Sequence, residues 1–458
     1  MRHLINWARS TVARQAASRA LARPAPDVCD LLGRPAINLD TPELQRFLAG
    51  KRVLVTGAGG SIGSEICRQS MRFCPQRLLL LERAENNLFE IDRELRGAWV
   101  GADVRPCIGD VCDAARLRQV FEHERPQVVF HCAAHKHVPM MEAHPCEAIK
   151  NNIFGTRIVA DAAASAGTLA FVLVSTDKAV NPTSVMGATK RFAELYVQSL
   201  NVEGSGFGVQ GSGQRVQNSG IKPGRSGHAA PFGPSVTSHS RLLNPEPRTL
   251  NPPSRTPTTR FLAVRFGNVL GSSGSVVPIF QRQIEAGGPV TVTHPEMRRF
   301  FMTIPEASQL VMQAGAIGQG GEIFVLDMGS QVRILDLATE LIHRNGLRPY
   351  DDIEIRFTGI RPGEKLFEEL ANDDDQTRPT AHPKIRVWQL PSAGSQQVAA
   401  GLTMLWEAAQ SGVARDAIIA LARCVPEYRP PIAIPQTTAA EPTLRLVAPE
   451  SDASVEAA

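Results

Sequence analysis

The chain has 458 residues, 43% of them hydrophobic and 21% charged, which is the ordinary composition of a soluble globular protein with length for more than one domain. Its 49 basic and 45 acidic residues leave a net charge of only +4. The basic residues form no long patch, so the sequence argues against nucleic acid as a partner. No apolar run approaches the length of a membrane-spanning helix, so we expect no membrane insertion.

The eight cysteines form no CxxC pair and show no zinc-ligand spacing. We therefore expect reduced thiols, no metal and a cytoplasmic location. Residues 1–48 are predicted to form a basic leader and linker, because the first two dozen residues contain several arginines and no acid. The same composition is compatible with an organellar import signal, which stays open as an alternative.

Residues 49–200 alternate short apolar runs with amphipathic stretches. The apolar runs are RVLVTG, RLLLLE, VVFHCAA and FVLVST. Continuous rather than alternating apolar runs are typical of parallel strands covered by helices on both sheet faces. The pattern predicts an α/β fold with a doubly wound parallel sheet of the Rossmann type, which binds a dinucleotide cofactor.

The composition then changes. Residues 201–259 are rich in Gly, Ser, Pro and Asn and have no periodicity, so we predict a disordered insertion. Since a strand run follows at once, the two ends of the insertion should lie close together. Residues 260–395 are predicted to complete the sheet and to add a smaller α/β substrate lobe, 396–428 to be helical and 429–458 to be a disordered tail.

A glycine loop, TGAGGSIGSE, directly follows the first apolar run. Gly57, Gly60 and Gly63 have the spacing that lets a tight turn and a helix N-terminus approach a pyrophosphate. Glu82 lies nineteen positions beyond Gly63, at the end of the next run, where a carboxylate binds the adenosine ribose hydroxyls. The loop predicts NAD as the cofactor, and Arg83 keeps NADP open.

Further cofactor contacts are predicted at the ends of the third and fourth strands and around the glycine loop. Asp110 and Val111 should lie beside the adenine, because they follow the third strand. The remaining predicted contacts are Ser61, Ile62, Ala133, Ala134, Lys136, Asn152 and Lys190.

The stretch STDKAVNPTSVMGATKR has the form of a dehydrogenase catalytic segment, in which a strand end, a polar loop and a helix follow one another. Such segments normally carry a tyrosine four residues before the lysine, but here Met186 precedes Lys190. A thioether cannot transfer a proton. Asp177 and Lys178 are therefore the candidate acid–base pair, and Thr176 is a candidate relay.

With these motifs the chain resembles the extended short-chain dehydrogenase/reductases and, more closely, the UDP-N-acetylglucosamine 4,6-dehydratases of bacterial polysaccharide and capsule biosynthesis. The resemblance runs from about Asp27 to Leu390. It implies a seven-stranded Rossmann core, a smaller sugar-nucleotide lobe and a UDP-sugar substrate; we also expect a homo-oligomer. The motifs that carry it are TGAGGSIGSE, HCAAHKHVPMMEAHP, KNNIFGT, STDKAVNP, VMGATKR, RFGNVLGSSGSVVPIF, HPEMRRFFMT and RPGEKLFEEL.

One branch of that family has methionine at the tyrosine position, and Met186 makes this chain similar to it. The resemblance implies that Asp177 is the acid at C6 of the sugar and Lys178 the base at C5. A lysine base needs a lowered pKa, for which the charge of Lys190 is a candidate source. Relatives with DLLGRPAINLD before the glycine loop usually carry membrane helices upstream, so we interpret the chain as a catalytic-domain-only or truncated form.

Substrate contacts are predicted in four segments, from the loop after the fourth strand to the RPGEK motif. An anion at a helix N-terminus and a guanidinium paired with a phosphate or uracil are the expected interactions. The predicted contacts are His135, Lys136, Asn268, Ser272, Ser273, Arg299, Arg361 and Glu364.

Two other functions stay open. A sugar-nucleotide 4-epimerase shares the cofactor-binding half but relies on a Tyr-x-x-x-Lys pair, which this chain lacks. A catalytically silent NAD-binding protein is suggested by Met186 and by the insertion. The presence of Asp177, Lys178 and Lys190 argues against it.

Overall fold

The computed structural model describes residues 41–202, 259–369, 377–389, 392–430 and 446–447. All of them belong to a single unit of the chain. A nine-stranded sheet with helices on both faces forms its centre. None of the helices in the described ranges is long and apolar enough to cross a membrane.

The strands are short and mostly buried. They are β1 (Arg52–Thr56), β2 (Arg77–Glu82), β3 (Val104–Ile108), β4 (Val128–His131), β5 (Ala170–Val174), β6 (Arg260–Arg265), β7 (Asn268–Val269), β8 (Val290–Val292), β9 (Arg298–Arg299), β10 (Phe301–Met302), β11 (Ile323–Leu326), β12 (Val332–Arg333), β13 (Ile355–Phe357), β14 (Thr377–Pro379), β15 (Ile385–Trp388), β16 (Ser392–Ala393) and β17 (Leu446–Val447).

The helices connect these strands and close the chain. They are α1 (Pro42–Leu48), α2 (Ser61–Met71), α3 (Glu85–Ala98), α4 (Ala114–Glu124), α5 (Val138–Ala143), α6 (Pro145–Ala148), α7 (Gly155–Ala166), α8 (Val185–Val202), α9 (Val276–Glu285), α10 (Ile304–Ile317), α11 (Ile334–Arg344), α12 (Ser395–Ser411) and α13 (Ala414–Cys424), with a π-helical turn at Ile149–Phe154 and a 3₁₀ turn at Asp177–Ala179.

The main sheet has the strand order β14-β15-β11-β6-β5-β4-β1-β2-β3. Seven neighbouring strands, from β11 to β3 in this order, pair in parallel, and β15 and β14 add antiparallel to the edge. The order reverses between β1 and β4, which is the position where doubly wound sheets bind ligands beyond the carboxyl ends of the strands. The predicted fold class is confirmed, and its seven parallel strands agree with the resemblance.

Both faces of the sheet are covered. In β2, Leu78 and Leu80 belong to the core formed with α1, α2, α3 and α10, and Leu79 and Leu81 to the core formed with α4, α7, α8, α12 and α13. An unbroken leucine run suits a strand buried on both sides. A third core joins α9, β8, α11 and β13 and forms the smaller lobe.

The predicted leader is wrong at its end, because Pro42–Leu48 is a helix of the domain. Thr41 caps the helix through its side-chain oxygen, and Leu44, Phe47 and Leu48 are buried. These three positions lie on one helical face, which explains why the segment packs onto the sheet side that carries α10.

The predicted insertion also begins too early. Helix α8 continues through Asn201 and Val202, and Thr259 is buried beside β6. The Asn201 amide accepts from the backbone N of Phe261 (3.2 Å) and donates to its carbonyl oxygen (3.0 Å), so the two ends lie together as predicted. The predicted disorder of 203–258 lies outside the described residues.

The C-terminal region contains two helices rather than one continuous segment. Gly412, in the left-handed conformation at φ 72°, ends α12, and α13 follows. In the predicted tail, Leu446–Val447 pairs antiparallel with Ser392–Ala393, so those two residues are not disordered. Residues 431–445 and 448–458 lie outside the described residues.

Candidate active site

The glycine loop brings β1 and α2 together at close range. Gly57 has a φ of +66°, and a Cβ there would lie 2.8 Å from the backbone N of Ala133. A Cβ on Gly63 would lie 2.1 Å from the carbonyl oxygen of Gly57. Only glycine fits both positions, and the space without side chains at the start of α2 suits a pyrophosphate. The loop therefore fits the dinucleotide that its sequence predicts.

Glu82 ends β2 directly beside this loop. Its carboxylate accepts hydrogen bonds from the backbone N of Gly59 (3.2 Å), Arg83 (3.0 Å) and Ala84 (3.0 Å). These bonds hold the carboxylate at the edge of the loop. The Arg83 guanidinium lies 3.6 Å from the carboxylate of Asp110, in an exposed ion pair.

Asn152 holds the loop that follows β4. It is fully buried, and its side chain bonds the backbone N (2.8 Å) and O (3.0 Å) of His135 and the hydroxyl of Thr189 (3.1 Å). Val111 is also buried, in the core beside α7. Asn152 therefore positions the loop that follows β4, and the side chain of Val111 packs in the core; their contacts with the cofactor stay predictions.

Asp177 lies at the carboxyl end of β5, in the 3₁₀ turn. Its Oδ1 accepts from the hydroxyl of Thr176 (2.8 Å) and from the ammonium of Lys178 (3.0 Å). Its Oδ2 lies against the backbone at Gly267, where a Cβ would be 3.0 Å away. Burial raises the pKa of Asp177, but the charge of Lys178 and the hydrogen bonds outweigh burial and hold it below its usual value.

Lys178 is bound on three sides. Its ammonium contacts Asp177 Oδ1 (3.0 Å), Asn268 Oδ1 (3.2 Å) and Glu368 Oε1 (2.7 Å). Burial lowers the pKa of Lys178, but the two carboxylates outweigh it and raise the pKa above its usual value. The expectation that Lys190 lowers this pKa is therefore wrong, because the nearest charges are negative.

Glu368 is the site residue that the sequence did not single out. It is 5% exposed, and its carboxylate also contacts the Nε of Arg299 (3.1 Å) and the amide nitrogen of Asn268 (3.1 Å). Burial and the neighbouring Asp177 raise its pKa to about 7, against the opposing charges of Lys178 and Arg299. We call Asp177, Lys178, Arg299 and Glu368 the site cluster. In the sequence, Glu368 is the second glutamate of the RPGEKLFEEL motif, two places after Leu366.

Helix α8 supplies the next two candidates. Its first turn touches the Lys178 backbone, since a Cβ on Gly187 would lie 2.1 Å from the carbonyl oxygen of Lys178. Lys190 is buried, and burial lowers its pKa to about 8. None of the described side chains bonds its ammonium. Met186 is 3% exposed and packs within the core around α8.

A second group of buried charges lies between β5, β6 and α8. Glu194 pairs with Arg265 through two bonds (2.6 and 2.5 Å) and also accepts from the hydroxyl of Ser175 (2.6 Å). Arg191 lies 3.5 Å from Glu194 and 3.2 Å from Glu427. We call Arg191, Glu194, Arg265 and Glu427 the inner cluster; it supports the strand end that carries Asp177.

The serine loop before α9 reaches the cofactor loop. The backbone N of Ser273 donates to the hydroxyl of Ser61 (3.0 Å), and the ammonium of Lys136 lies 3.5 Å from the hydroxyl of Ser272. Burial, and then the charge of Lys178, lowers the pKa of Lys136. These contacts bring together the residues predicted for cofactor and for substrate.

Other predicted contacts have partners within the protein. Arg299 is 12% exposed and donates to the carbonyl oxygens of Lys365 (2.8 Å) and Leu366 (3.1 Å). It thus holds the segment that carries Glu368, and we assign it to positioning. Arg361 is exposed, and its backbone N donates to the carboxylate of Glu364 (3.4 Å).

No group of three or more His, Cys, Asp or Glu side chains within the described ranges could hold a metal ion. The described cysteines form no disulfide.

The sheet and the glycine loop have the fold of extended short-chain dehydrogenase/reductases, which the solved nucleotide-sugar dehydratase and epimerase structures share. The family model described as "Polysaccharide biosynthesis protein" matches residues 53–212 and 247–390, more than half of the chain. The chain belongs to this family.

Relatives agree with this assignment. The capsular polysaccharide biosynthesis protein CapD of Staphylococcus aureus is 49% identical over 76% of this chain and 50% of its own length. The UDP-N-acetylglucosamine 4,6-dehydratase (inverting) of Campylobacter jejuni is 30% identical over 71% of this chain and 78% of its own. A UDP-glucose 4-epimerase of Rickettsia rickettsii is 28% identical over 72% and 80%.

Among solved structures, Pen from Bacillus thuringiensis is similar with a TM-score of 0.59, at 30% identity over 75% of this chain and 88% of its own. The chain spans about half the length of the first curated relatives that it matches.

Proposed function

We propose that the chain catalyses the NAD-dependent 4,6-dehydration of a UDP-N-acetylhexosamine, with UDP-N-acetylglucosamine as the first candidate substrate. The observation that carries the proposal is the group of Asp177, Lys178 and Glu368, in which the ammonium of Lys178 lies between the two carboxylates beyond the end of β5. Oxidation at C4 alone needs one proton acceptor. Elimination of water from C5 and C6 needs an acid and a base in addition, and this group supplies both.

The proposed cofactor is NAD, which when bound would accept the hydride of C4 and return it at C6. Gly57, Gly60 and Gly63 would hold the pyrophosphate, and Glu82 the adenosine ribose. The carboxylate of Glu82 would repel a ribose phosphate, and Arg83 is already paired with Asp110. These charges favour NAD over NADP.

Each side chain has a proposed role. Asp177 donates a proton to the C6 hydroxyl as it leaves as water, and Lys178 removes and returns the proton at C5. Thr176, hydrogen-bonded to Asp177, relays the proton of the C4 hydroxyl. Lys190, whose ammonium makes no hydrogen bond within the described part of the chain, holds the nicotinamide ribose.

The methionine at position 186 supports assignment to the branch of the family that lacks the tyrosine. Met186 is buried and cannot take a proton, so the chemistry falls to the site cluster. A single lysine that removes and returns the C5 proton on one face would give retention at C5. The name of CapD and the description of the matching family support a role in polysaccharide biosynthesis.

A 4-epimerase is the second candidate, because relatives at 28% identity carry that name. The sequence argues against an epimerase, since the residue four positions before Lys190 is Met186 and not a tyrosine.

The deciding experiment is to incubate the purified chain with UDP-N-acetylglucosamine in heavy water and follow the sugar by NMR. A 4-keto-6-deoxy product with deuterium at C5 is the expected result, and its ring couplings report the C5 configuration. Appearance of the galacto epimer without loss of water would instead establish an epimerase. Unchanged sugar beside bound NAD would support the silent protein or another nucleotide sugar.

A further inference from the structure

The contacts of Lys178 raise a chemical problem. A base needs a free lone pair, yet the three acceptors around this ammonium, on Asp177, Asn268 and Glu368, match its three hydrogens. Lys178 therefore cannot remove a proton from the sugar until one of its own protons has left. The nearest acceptors for that proton are the groups already in contact with the ammonium.

Glu368 is the acceptor that fits best. The amide oxygen of Asn268 does not take a proton at ordinary pH. The charge of Lys178 and the hydrogen bonds from Glu368, Lys178 and Thr176 hold the pKa of Asp177 below its usual value despite burial, which favours its ionised form. Glu368 lies closest to the ammonium, at 2.7 Å, and its pKa of about 7 is the value at which a carboxyl both takes and gives a proton near neutral pH.

We propose that Glu368 accepts the ammonium proton of Lys178 when substrate is bound and returns it at the end of the turnover; this inference rests on the proposed function. The N–H bond of Lys178 breaks, an O–H bond forms on Glu368, and the electron pair stays on the nitrogen. In this proposal Glu368 exchanges a proton with Lys178 and touches no reacting atom of the sugar. It therefore acts through Lys178, as a positioning residue.

The protons of the whole cycle then balance. The C4 hydroxyl proton goes to Asp177, and from there to the C6 oxygen, which leaves as water. The C5 proton goes to the neutral amine of Lys178 and returns to C5 after the C6 position has been reduced. Glu368 finally gives its proton back to Lys178, and all three groups regain their starting states. The hydride that leaves C4 and returns at C6 does not change the number of protons exchanged.

The surroundings of Glu368 suit such an exchange. Its charged neighbours are Asp177, Lys178 and Arg299, one negative and two positive. Arg299 Nε (3.1 Å) and the Asn268 amide nitrogen (3.1 Å) hold its two oxygens, and Gln331 donates to its backbone carbonyl (2.7 Å). The carboxyl is therefore fixed in place while its protonation changes.

The test compares the pH dependence of kcat for the wild type, Glu368→Gln and Glu368→Asp with UDP-N-acetylglucosamine. In the wild type, kcat should rise with pH and level off above about 7, because Glu368 has to be ionised to take the proton. Glu368→Gln should lower kcat roughly 100-fold and move the rise to more alkaline pH, with KM nearly unchanged. Glu368→Asp should restore the rise near neutral pH.

Glu369→Gln is the matched control, since Glu369 is exposed and pairs with Lys365 outside the cluster; its profile should equal that of the wild type. The inference is overturned if Glu368→Gln keeps the wild-type profile, or if only KM changes. Should that variant fail to fold, a flat wild-type profile between about pH 6 and 8 also overturns it. Absence of any 4-keto-6-deoxy product from the wild type would reject the proposed function itself.

Discussion

The site cluster and the inner cluster contain the same charges but differ in chemistry. Each has two carboxylates and two cations in the protein interior. In the inner cluster both cations are arginines, and Arg265 meets Glu194 through two parallel bonds. In the site cluster the cation between the two carboxylates is Lys178.

This difference decides which cluster can move protons. An arginine in a protein does not release its proton, so neither cation of the inner cluster can take part in proton transfer. A lysine does release its proton, and Glu368 beside it has a pKa raised to about 7 by burial and by Asp177. Buried charges that cannot titrate support the fold, whereas buried charges that can titrate are available for chemistry.

The largest expected effect comes from replacing the lysine by the inner cluster's type of cation. Lys178→Arg keeps the positive charge between the carboxylates but removes the releasable proton, so we expect kcat to fall about 1,000-fold while bound NAD is retained. Steady-state rates and the NAD content of the purified protein measure both.

Lys150→Arg, at an exposed lysine paired with Glu147, is the control and should behave as the wild type. If Lys178→Arg keeps more than roughly a tenth of the activity, Lys178 acts by charge alone, and the distinction between the clusters fails.

The inner cluster should matter for stability. Glu194 is fully buried, and Glu194→Gln leaves Arg265 without its ionic partner, so the free energy of unfolding should fall by about 3–5 kcal/mol. Urea denaturation followed by circular dichroism measures it. Glu90→Gln, at an exposed pair with Arg93, should cost less than about 1 kcal/mol. Equal losses in both variants would show that the inner cluster is no more structural than a surface pair.

A substitution in the site cluster should have the opposite effect on stability. Relative to the wild type, replacing Glu368 should raise the free energy of unfolding as the pH rises towards about 7. The folded state raises the pKa of Glu368 from 4.5 to about 7, so between these values the folded protein binds more protons than the unfolded chain. The contribution of Glu368 to the free energy of unfolding is therefore complete below about pH 4.5 and is lost as the pH rises through about 7. Relative to the wild type, Glu368→Gln should gain up to about 3 kcal/mol between those limits.

Urea midpoints of both proteins at pH 5 and pH 8 measure this difference. Glu369→Gln again serves as the control, since its carboxylate is exposed. A stability difference between Glu368→Gln and the wild type that stays constant with pH would show that Glu368 does not titrate in this range.

Sequence patterns were sufficient for the sheet and the glycine loop, because both depend on local rules. The four leucines of β2 indicate a strand buried on two sides, and Gly57 and Gly63 meet contacts that exclude a side chain. The loop after β5 was also found, since Asp177 and Lys178 are adjacent in the chain. Each of these features involves residues close in sequence.

The partner of Lys178 could not be found in this way. Glu368 lies 190 positions further along the chain and reaches the site only through the lobe, where Arg299 holds its segment. Arg299 and Asn268 were predicted as substrate contacts, but in the structure they bond Lys365, Lys178 and Glu368. Tertiary contacts of this kind have no local signature.

The smallest effect is expected at the far end of α8, the helix that carries Lys190 and Glu194 to their clusters. We predict that replacing 204–257 by a short Gly-Ser link leaves kcat within about twofold and raises the free energy of unfolding by no more than about 2 kcal/mol, since the cost of closing a loop depends weakly on its length. Activity assays and urea denaturation of the deletion variant measure both.

The reason lies in the clamp between Asn201 and Phe261, whose two hydrogen bonds hold the end of α8 against β6. Asn201→Ala in the deletion variant should therefore lower the free energy of unfolding, whereas the deletion alone should not, because the substitution removes these bonds from a partly buried site. A deletion variant that no longer folds, with Asn201 intact, would show that the clamp is insufficient and that both clusters depend on the segment between α8 and β6.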